Sequence, residues 1–253
     1  MNIILITGAS SGIGREFAKQ MDVCFGNIDE FWLIARSSEG LRETADSLCH
    51  KSRLLPMDIT VQENLDSLEQ ELREENAIIR ILVNCAGYGI MGAFSKQNRN
   101  TILGMIRLNC EALTDMTHRM IPYMRPNSRI IQMASCAAFL PQPNFAVYAA
   151  TKSYVLSFSR ALGEELKPFG IYVTSVCPGP VDTPFFDIAE ENGSTLAIKK
   201  YTLVNAREVV SLALKDSYHR RSVSVCSLPI KAVRVLAKFL PHDMILTIMK
   251  HMK

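Results

Sequence analysis

Tyr148 and Lys152 are the residues whose types and spacing most directly suggest chemistry. They stand four apart in the segment Tyr-Ala-Ala-Thr-Lys, and on a helix this spacing places both side chains on one face. An ordinary tyrosine has a pKa of about 10 and exchanges protons poorly at neutral pH, but a nearby ammonium favours the phenolate and lowers that pKa. The pair predicts a proton donor or acceptor, with a solvated surface pair as the alternative.

A glycine-rich turn near the start of the chain predicts a phosphate-binding site. The apolar residues 3–6 run directly into Thr-Gly-Ala-Ser-Ser-Gly-Ile-Gly, and a helical pattern follows. A strand, a glycine turn and a helix in succession expose free backbone N–H groups at the helix N-terminus, where they can bind the pyrophosphate of a dinucleotide. The candidate cofactor contacts in this turn are Gly8, Ser10, Ser11, Gly12, Ile13 and Gly14.

The end of the second apolar run indicates which dinucleotide is bound. A dinucleotide fold that prefers NAD usually has an acidic residue there, which holds the ribose 2′-hydroxyl. This chain instead has Arg36 and Ser37 after Ala35. Arg36 can pair with a 2′-phosphate and Ser37 can add a hydroxyl group. The sequence therefore predicts NADP(H), with an exposed surface arginine as the alternative.

Seven short apolar runs are predicted to form the strands that position these residues. They lie at residues 3–6, 31–35, 53–57, 81–84, 129–133, 172–176 and 223–226, and helical patterns separate them. Alternating strands and helices over 253 residues predict a single α/β domain, with a Rossmann-type, doubly wound, mostly parallel seven-stranded sheet and helices on both faces. Residues 184–202 lack a clear period and are predicted to form a substrate loop.

Composition excludes several other functions. A net charge of +3 without a dense basic block gives no support for a nucleic-acid partner. The seven cysteines form no C-x-x-C pair, and the five histidines lack metal-ligand spacing, so neither a disulfide framework nor a metal site is expected. No window approaches about 18 apolar residues, and the first apolar run reads as a strand rather than a signal sequence. A cytoplasmic protein is expected.

The glycine turn and the Tyr148–Lys152 pair occur together with further motifs, in a fixed order. These are Asn-Cys-Ala-Gly at residues 84–87, Asn109, Ser135 and Pro178-Gly179. In this combination, residues 1 to about 227 resemble the single-domain branch of the short-chain dehydrogenase/reductase family. The resemblance implies that Ser135 stabilises the substrate oxygen and Tyr148 transfers the proton. It also implies that Lys152 holds the nicotinamide ribose and lowers the Tyr148 pKa, while Asn109 supports a water-linked proton relay.

The same resemblance implies further cofactor contacts at the ends of later strands. Asp58 would lie near the adenine and Thr183 near the nicotinamide carboxamide. The other implied contacts are Asn84, Ala86, Gly87, Tyr148, Lys152, Pro178, Gly179 and Val181. The chain departs from the family at three places: Cys85 stands where many relatives have a second asparagine, residues 22–30 are longer and more irregular than usual, and the common Asp-Gly-Gly close is missing.

The predicted function is that of an NADP(H)-dependent oxidoreductase that interconverts a ketone or aldehyde with an alcohol. An apolar run, Phe139-Leu140-Pro141, follows the serine, and the predicted loop is also rich in apolar residues. These residues favour a lipid-like substrate such as a steroid, acyl chain or retinoid, or they pack the loop itself. Two other functions remain open: a 3-oxoacyl thioester reductase, and a catalytically silent relative that senses NADP(H). The apolar loop residues are Phe185, Phe186, Ile188, Leu196, Ile198 and Tyr201.

The end of the chain, residues 229–253, is predicted to form one or two amphipathic helices. It contains five Lys and Arg residues against one Asp. It could be a cap over the pocket, an oligomer contact or a peripheral membrane helix. The family resemblance also implies a homodimer or homotetramer. Ile230, Val233, Ala237 and Leu240 share one predicted face, and Lys231, Arg234 and Lys238 share another.

Overall fold

One parallel sheet of seven strands forms the centre of the part of the chain that the structure describes. That part, in a computed structural model, comprises residues 1–185, 189, 204–239, 241, 244, 246 and 247. The strand order is β3-β2-β1-β4-β5-β6-β7, with every neighbouring pair parallel. The prediction of a Rossmann-type doubly wound sheet is confirmed. The strands are β1 Asn2–Thr7, β2 Glu30–Ala35, β3 Ser52–Pro56, β4 Ile78–Asn84, β5 Met124–Met133, β6 Tyr172–Val176 and β7 Val223–Ser224.

Helices cover both faces of this sheet, because its strands are apolar on both sides. Side chains alternate along a strand, so Leu5 packs into the cluster with Leu65 while its neighbour Ile4 packs into the opposite cluster with Phe17. The helices are α1 Gly12–Cys24, α2 Ser38–Ala45, α3 Gln62–Glu74, α4 Arg99–Ile106, α5 Leu113–Met120, α6 Ala146–Leu166, α7 Ala206–Tyr218 and α8 Leu228–Phe239. A π-helical segment, Arg107–Ala112, joins α4 to α5.

The direction of the chain reverses between β1 and β4, and this reversal positions the site. From β1 the chain proceeds to β2 and β3 on one side, whereas β4 to β7 lie on the other. The loops that leave β1 and β4 therefore diverge at the carboxyl edge of the sheet. In doubly wound sheets, ligands bind in the crevice that such a reversal opens.

Several boundaries differ from those predicted by the apolar pattern. β4 and β5 begin at Ile78 and Met124, because their first residues are partly polar and escape a search for apolar runs. β7 ends at Ser224, two residues earlier than predicted. The irregular stretch predicted at residues 22–30 shrinks to 25–29, because α1 continues to Cys24.

The chain end forms a helix, as predicted, at least through Phe239. Ile230 is buried, and Val233 and Ala237 are half-buried. Leu240 and most of the segment after it lie outside the described residues, as do residues 186–188 and 190–203 of the predicted substrate loop. No helix among the described residues is long and apolar enough to cross a membrane.

Candidate active site

A cavity of about 1400 Å³ lies along the carboxyl edge of the sheet. It is larger than the pockets that hold drug-sized ligands, so it has room for a dinucleotide and a second molecule. Most of the predicted cofactor contacts lie on its wall. They are Gly8, Ser10, Ser11, Gly12, Ile13, Gly14, Arg36, Ser37, Asp58, Ala86, Gly87, Pro178, Gly179, Val181 and Thr183.

The turn between β1 and α1 packs so closely that two of its positions require glycine. Gly8 has a φ of 68°, and a Cβ atom there would lie 2.8 Å from the backbone nitrogen of Ala86. A Cβ atom at Gly14 would lie 2.1 Å from the carbonyl oxygen of Gly8. Ser11 is the N-cap of α1, but its side chain makes no capping hydrogen bond. The first N–H groups of α1 therefore remain available to an anion.

Arg36 and Ser37 stand at the far end of the same cavity, after β2. Both are exposed. The Ser37 hydroxyl already has a structural task, since its oxygen accepts a hydrogen bond from the Gly40 N–H at 3.1 Å and caps α2. The guanidinium of Arg36 is thus the principal group here that could bind a phosphate.

The charged residues of the cavity wall are mostly cations. Lys96, Arg107 and Lys152 line it together with Arg36, whereas Asp58 is its one carboxylate among the described residues. One oxygen of Asp58 accepts hydrogen bonds from the backbone N–H and the hydroxyl of Thr60. The balance of charge favours an anionic ligand. Lys96 and Arg107 were not predicted from the sequence, because they belong to no motif and reach the cavity wall only through the fold.

Ser135, Tyr148 and Lys152 meet on the cavity wall near the end of β5. The Ser135 oxygen accepts the N–H of Ala137 at 3.1 Å, and the Ser135 hydroxyl also interacts with the Tyr148 side chain. The Lys152 Nζ atom donates to the Met133 carbonyl at 2.7 Å and lies 5.7 Å from the centre of the Tyr148 ring. The predicted catalytic serine, tyrosine and lysine are therefore brought together.

Burial controls the titration of this group. It raises the pKa of Tyr148 well above its ordinary value, and the neighbouring Ser135 hydroxyl opposes that change. Burial also lowers the pKa of Lys152 to about 8. The lower pKa predicted for Tyr148 from the sequence is thus wrong, because the loss of water around the phenol outweighs the opposing contribution of Ser135.

Asn109 and Asn84 lie behind the cavity wall rather than on it. Asn109 is part of the π-helical segment and is fully buried. Its side chain accepts the N–H of Tyr88 at 3.1 Å and donates to the Tyr88 carbonyl and to the Thr151 hydroxyl. The Asn84 side chain donates to the Thr117 hydroxyl at 2.9 Å. Both asparagines hold neighbouring segments together behind the site.

Thr7, at the end of β1, is a further polar residue of the site that was not predicted from the sequence. Its hydroxyl oxygen accepts the backbone N–H groups of Cys85 and Ala86, each at 3.1 Å. These bonds hold the loop after β4 against the end of β1. They hold the loop in place with Cys85 at the position where the family pattern has asparagine.

The other end of the cavity is apolar and aromatic. Phe145 stacks on Tyr148 with ring centres 4.3 Å apart, and the ring centre of Phe185 lies 5.5 Å from that of Tyr148. Met91 belongs to the same cluster. Ile230 and Val233 of α8 complete this part of the wall. An apolar molecule with one polar group could lie here with that group at Tyr148.

Known proteins that resemble this chain in sequence and in structure include oxidoreductases and dehydrogenases. The chain is 31% identical to an uncharacterized oxidoreductase from Staphylococcus epidermidis, over 86% of this chain and 92% of that protein. A short-chain dehydrogenase from Sphingobium yanoikuyae, solved with NADPH, is 31% identical and superposes with a TM-score of 0.79. The match covers 92% of this chain and 90% of the Sphingobium chain.

A third relative is the very-long-chain 3-oxoacyl-CoA reductase of Emericella nidulans, 31% identical over 68% of this chain. The chain spans about half, 51%, of that fungal protein.

The doubly wound sheet, the glycine turn and the Ser-Tyr-Lys group on one cavity define a class, the dinucleotide-fold oxidoreductases. Within that class the assignment is direct, because the short chain dehydrogenase family model matches residues 2–193. The chain belongs to the short-chain dehydrogenase family.

Proposed function

We propose that this protein is an NADP(H)-dependent oxidoreductase that interconverts a carbonyl compound and an alcohol on an apolar substrate. The observation that carries the proposal is the shape of the cavity. A single cavity joins Arg36 and the glycine turn at one end to Ser135, Tyr148 and Lys152 at the other. A ligand with an anionic half can therefore extend from the cationic end to the residues that handle protons.

The bound nicotinamide would supply or accept the hydride. In the reducing direction, the Ser135 hydroxyl donates a hydrogen bond to the substrate oxygen, and the Tyr148 Oη atom gives its proton to that oxygen as it gains negative charge. In the oxidising direction, Tyr148 takes the proton back. The ammonium of Lys152 offsets the charge of the phenolate that remains after the proton has left.

Support for NADP(H) over NAD(H) comes from Arg36. It follows β2, where an acidic residue would hold a free 2′-hydroxyl, and it is exposed on the cavity wall. The relative from Sphingobium yanoikuyae was solved with NADPH.

A narrower candidate function is reduction of a 3-oxoacyl thioester. The likeness to the fungal 3-oxoacyl-CoA reductase favours it, and Lys96 and Arg107 add positive charge to the cavity wall. A panel of steroids, aldehydes, sugars and 3-oxoacyl thioesters, followed at the nicotinamide absorbance, separates this candidate from other apolar carbonyl compounds. No turnover of any member would favour the silent NADP(H)-sensing relative instead.

We also propose that the protein forms a homodimer or homotetramer. Two large side chains on neighbouring helices, Ile106 of α4 and Tyr154 of α6, are about two-fifths exposed, at 43% and 42%. A self-complementary contact would bury them. The molar mass in solution, measured by light scattering, tests this.

Replacing Tyr148 by phenylalanine tests the mechanism. Tyr148→Phe removes the proton-transferring oxygen and little else, so we expect NADPH to bind nearly normally while turnover falls by roughly 10²–10⁴-fold. Tyr218→Phe is the control, because Tyr218 is 69% exposed at the end of α7 and does not line the cavity. Near-normal turnover by Tyr148→Phe would exclude this mechanism.

A further inference from the structure

Helix α8 has an apolar side that nothing in the described structure covers. Leu228, Val235, Leu236 and Phe239 are 78%, 55%, 53% and 79% exposed. With Ala232, also exposed, they recur at helical spacing and share one side of α8. We call these five residues the outer apolar face.

A second apolar side of α8 holds the helix on the protein. Ile230 is buried in a cluster with Val155 and Val225, and Val233 and Ala237 beside it are half-buried. This inner side is the apolar face that the sequence predicts. The outer apolar face is therefore not needed to attach α8, and its exposure requires a separate explanation.

Between these two sides α8 carries only positive charge. Lys231 and Lys238 are exposed and Arg234 is partly exposed. All three lie on one flank of the helix, and α8 contains no acidic residue. An exposed apolar face beside a basic flank is the pattern of a helix that lies in the surface of an anionic membrane.

The position of α8 gives such a contact a use. Ile230 and Val233 form part of the cavity wall at its apolar end. A membrane held by the opposite side of the same helix would lie close to that end. An apolar substrate could then pass between the bilayer and the cavity with little exposure to water.

We propose that the outer apolar face of α8, together with Lys231, Arg234 and Lys238, docks this protein on the surface of an anionic lipid bilayer. A second copy of the chain fits less well. Self-pairing of α8 about a twofold axis would bring two all-cationic helices together, whereas anionic headgroups complement the charge. The proposal concerns binding alone and does not depend on the identity of the substrate.

Sedimentation of the full chain with lipid vesicles tests the proposal. The vesicles are phosphatidylcholine alone, or phosphatidylcholine mixed with phosphatidylglycerol, each at low and at high salt. We expect binding to the mixed vesicles, weakened by salt, and little binding to phosphatidylcholine. Val235→Glu/Phe239→Glu and Lys231→Gln/Lys238→Gln should each weaken binding by about tenfold or more.

Two matched variants place the same changes elsewhere. Val23→Glu/Phe169→Glu alters side chains that are 85% and 67% exposed, and Lys19→Gln/Lys215→Gln removes two exposed cations. Both should bind vesicles like the parent chain. Circular dichroism and the molar mass of every variant are measured without lipid, to detect misfolding and changes in assembly. If a variant misfolds, the binding of the unaltered chain to the two kinds of vesicle at low and high salt still tests the proposal.

Three results would overturn the proposal. The unaltered chain could stay in the supernatant with mixed vesicles at low salt. The α8 variants could bind as well as the parent. Or the α8 variants could lower the molar mass in solution while no form of the protein binds vesicles, which would assign the outer apolar face to a second copy of the chain.

Discussion

The buried ammonium of Lys152 destabilises the fold, so its titration should be detectable in the pH dependence of protein stability. Its Nζ atom has a carbonyl partner, Met133, but no carboxylate within the described residues. A cation in this position is tolerated because the site needs it. At the residue scale, then, the chemistry of the site and the stability of the protein oppose each other.

The pH dependence of stability tests the titration of Lys152. Its pKa falls from 10.5 to about 8 on folding, so between these values the unfolded chain holds a proton that the folded chain has released. The contribution of Lys152 to stability should therefore rise with pH, by roughly 1 kcal/mol between pH 7 and 9. The buried thiols of Cys85, Cys136 and Cys177, whose pKa values burial raises, contribute in the opposite direction, so the test compares two variants that both keep them. Urea unfolding at both pH values should show that the change in stability from pH 7 to pH 9 is less favourable in Lys152→Met than in the exposed control Lys167→Met, by roughly 1 kcal/mol. The same change in both variants would contradict the assignment.

Arg36 should determine the choice between the two nicotinamide cofactors. We expect Arg36→Ala to weaken NADPH binding by roughly 1.5–3 kcal/mol, about tenfold to a hundredfold in affinity, and to leave NADH binding little changed. Titration calorimetry with both cofactors measures this. Arg42→Ala, which alters an exposed arginine on α2, is the control. Equal losses for NADPH and NADH would count against a 2′-phosphate contact.

At this scale the sequence predicted which residues meet but not how they titrate. The four-residue spacing of Tyr148 and Lys152 fixed their shared side of α6, and Ser135 followed from its place after β5. The pKa of Tyr148 depends on burial by Phe145 and Phe185, which are brought to it by the fold. Lys96 and Arg107 escaped for the same reason, because no local pattern marks a cavity wall.

At the element scale, the β1–α1 turn is the part of the site that local sequence determines most completely. A strand, two close-packed glycines and a helix start suffice to specify it, and the structure shows why other residues would not fit. Strand starts are less predictable. The first residues of β5 include Arg125, Pro126 and Asn127, which interrupt the apolar pattern; β5 pairs with β4 at Met124 and again from Arg129, with a shift of register between them.

The close approach within this turn predicts the effect of a single methyl group. Gly14→Ala would place a Cβ atom 2.1 Å from the Gly8 oxygen, so the turn must open. We expect a loss of roughly 3 kcal/mol in the free energy of unfolding and a strong loss of NADPH binding. Gly26→Ala is the control, since no heavy atom lies within 4 Å of a Cβ atom there. Unfolding in urea measures both variants, and equal stability would show that the turn adapts.

The π-helical segment is an element that the sequence analysis did not anticipate. It turns Asn109 inward, so that the side chain bonds both backbone groups of Tyr88 and the Thr151 hydroxyl. π-helical turns are frequent at functional sites. A helical pattern cannot reveal such a segment, because a single extra residue in a turn changes the apolar spacing very little.

At the scale of the whole molecule, the site is assembled from segments distant in the chain. Its cationic end comes from the first two strands, its proton-handling residues from β5 and α6, and part of its apolar wall from α8. The sequence predicted the sheet that brings together the cationic end and the proton-handling residues. It left the position of α8 open among three roles, because amphipathic spacing shows that a helix has a buried side but not what that side covers.

The two sides of α8 should therefore respond differently to the same substitution. Val233 lies on the cavity wall, so Val233→Asp should place a carboxylate at the apolar end and raise the KM of an apolar substrate roughly tenfold or more. NADPH should bind nearly unchanged, because Val233 is not among its predicted contacts. Val235→Asp, two residues along and exposed on the outer apolar face, should leave both quantities unaltered in the absence of membranes.

Steady-state kinetics with the best substrate of the panel, and NADPH titrations, measure these effects. An unchanged KM for Val233→Asp would remove α8 from the substrate site, and equal effects of the two variants would indicate general damage to the helix.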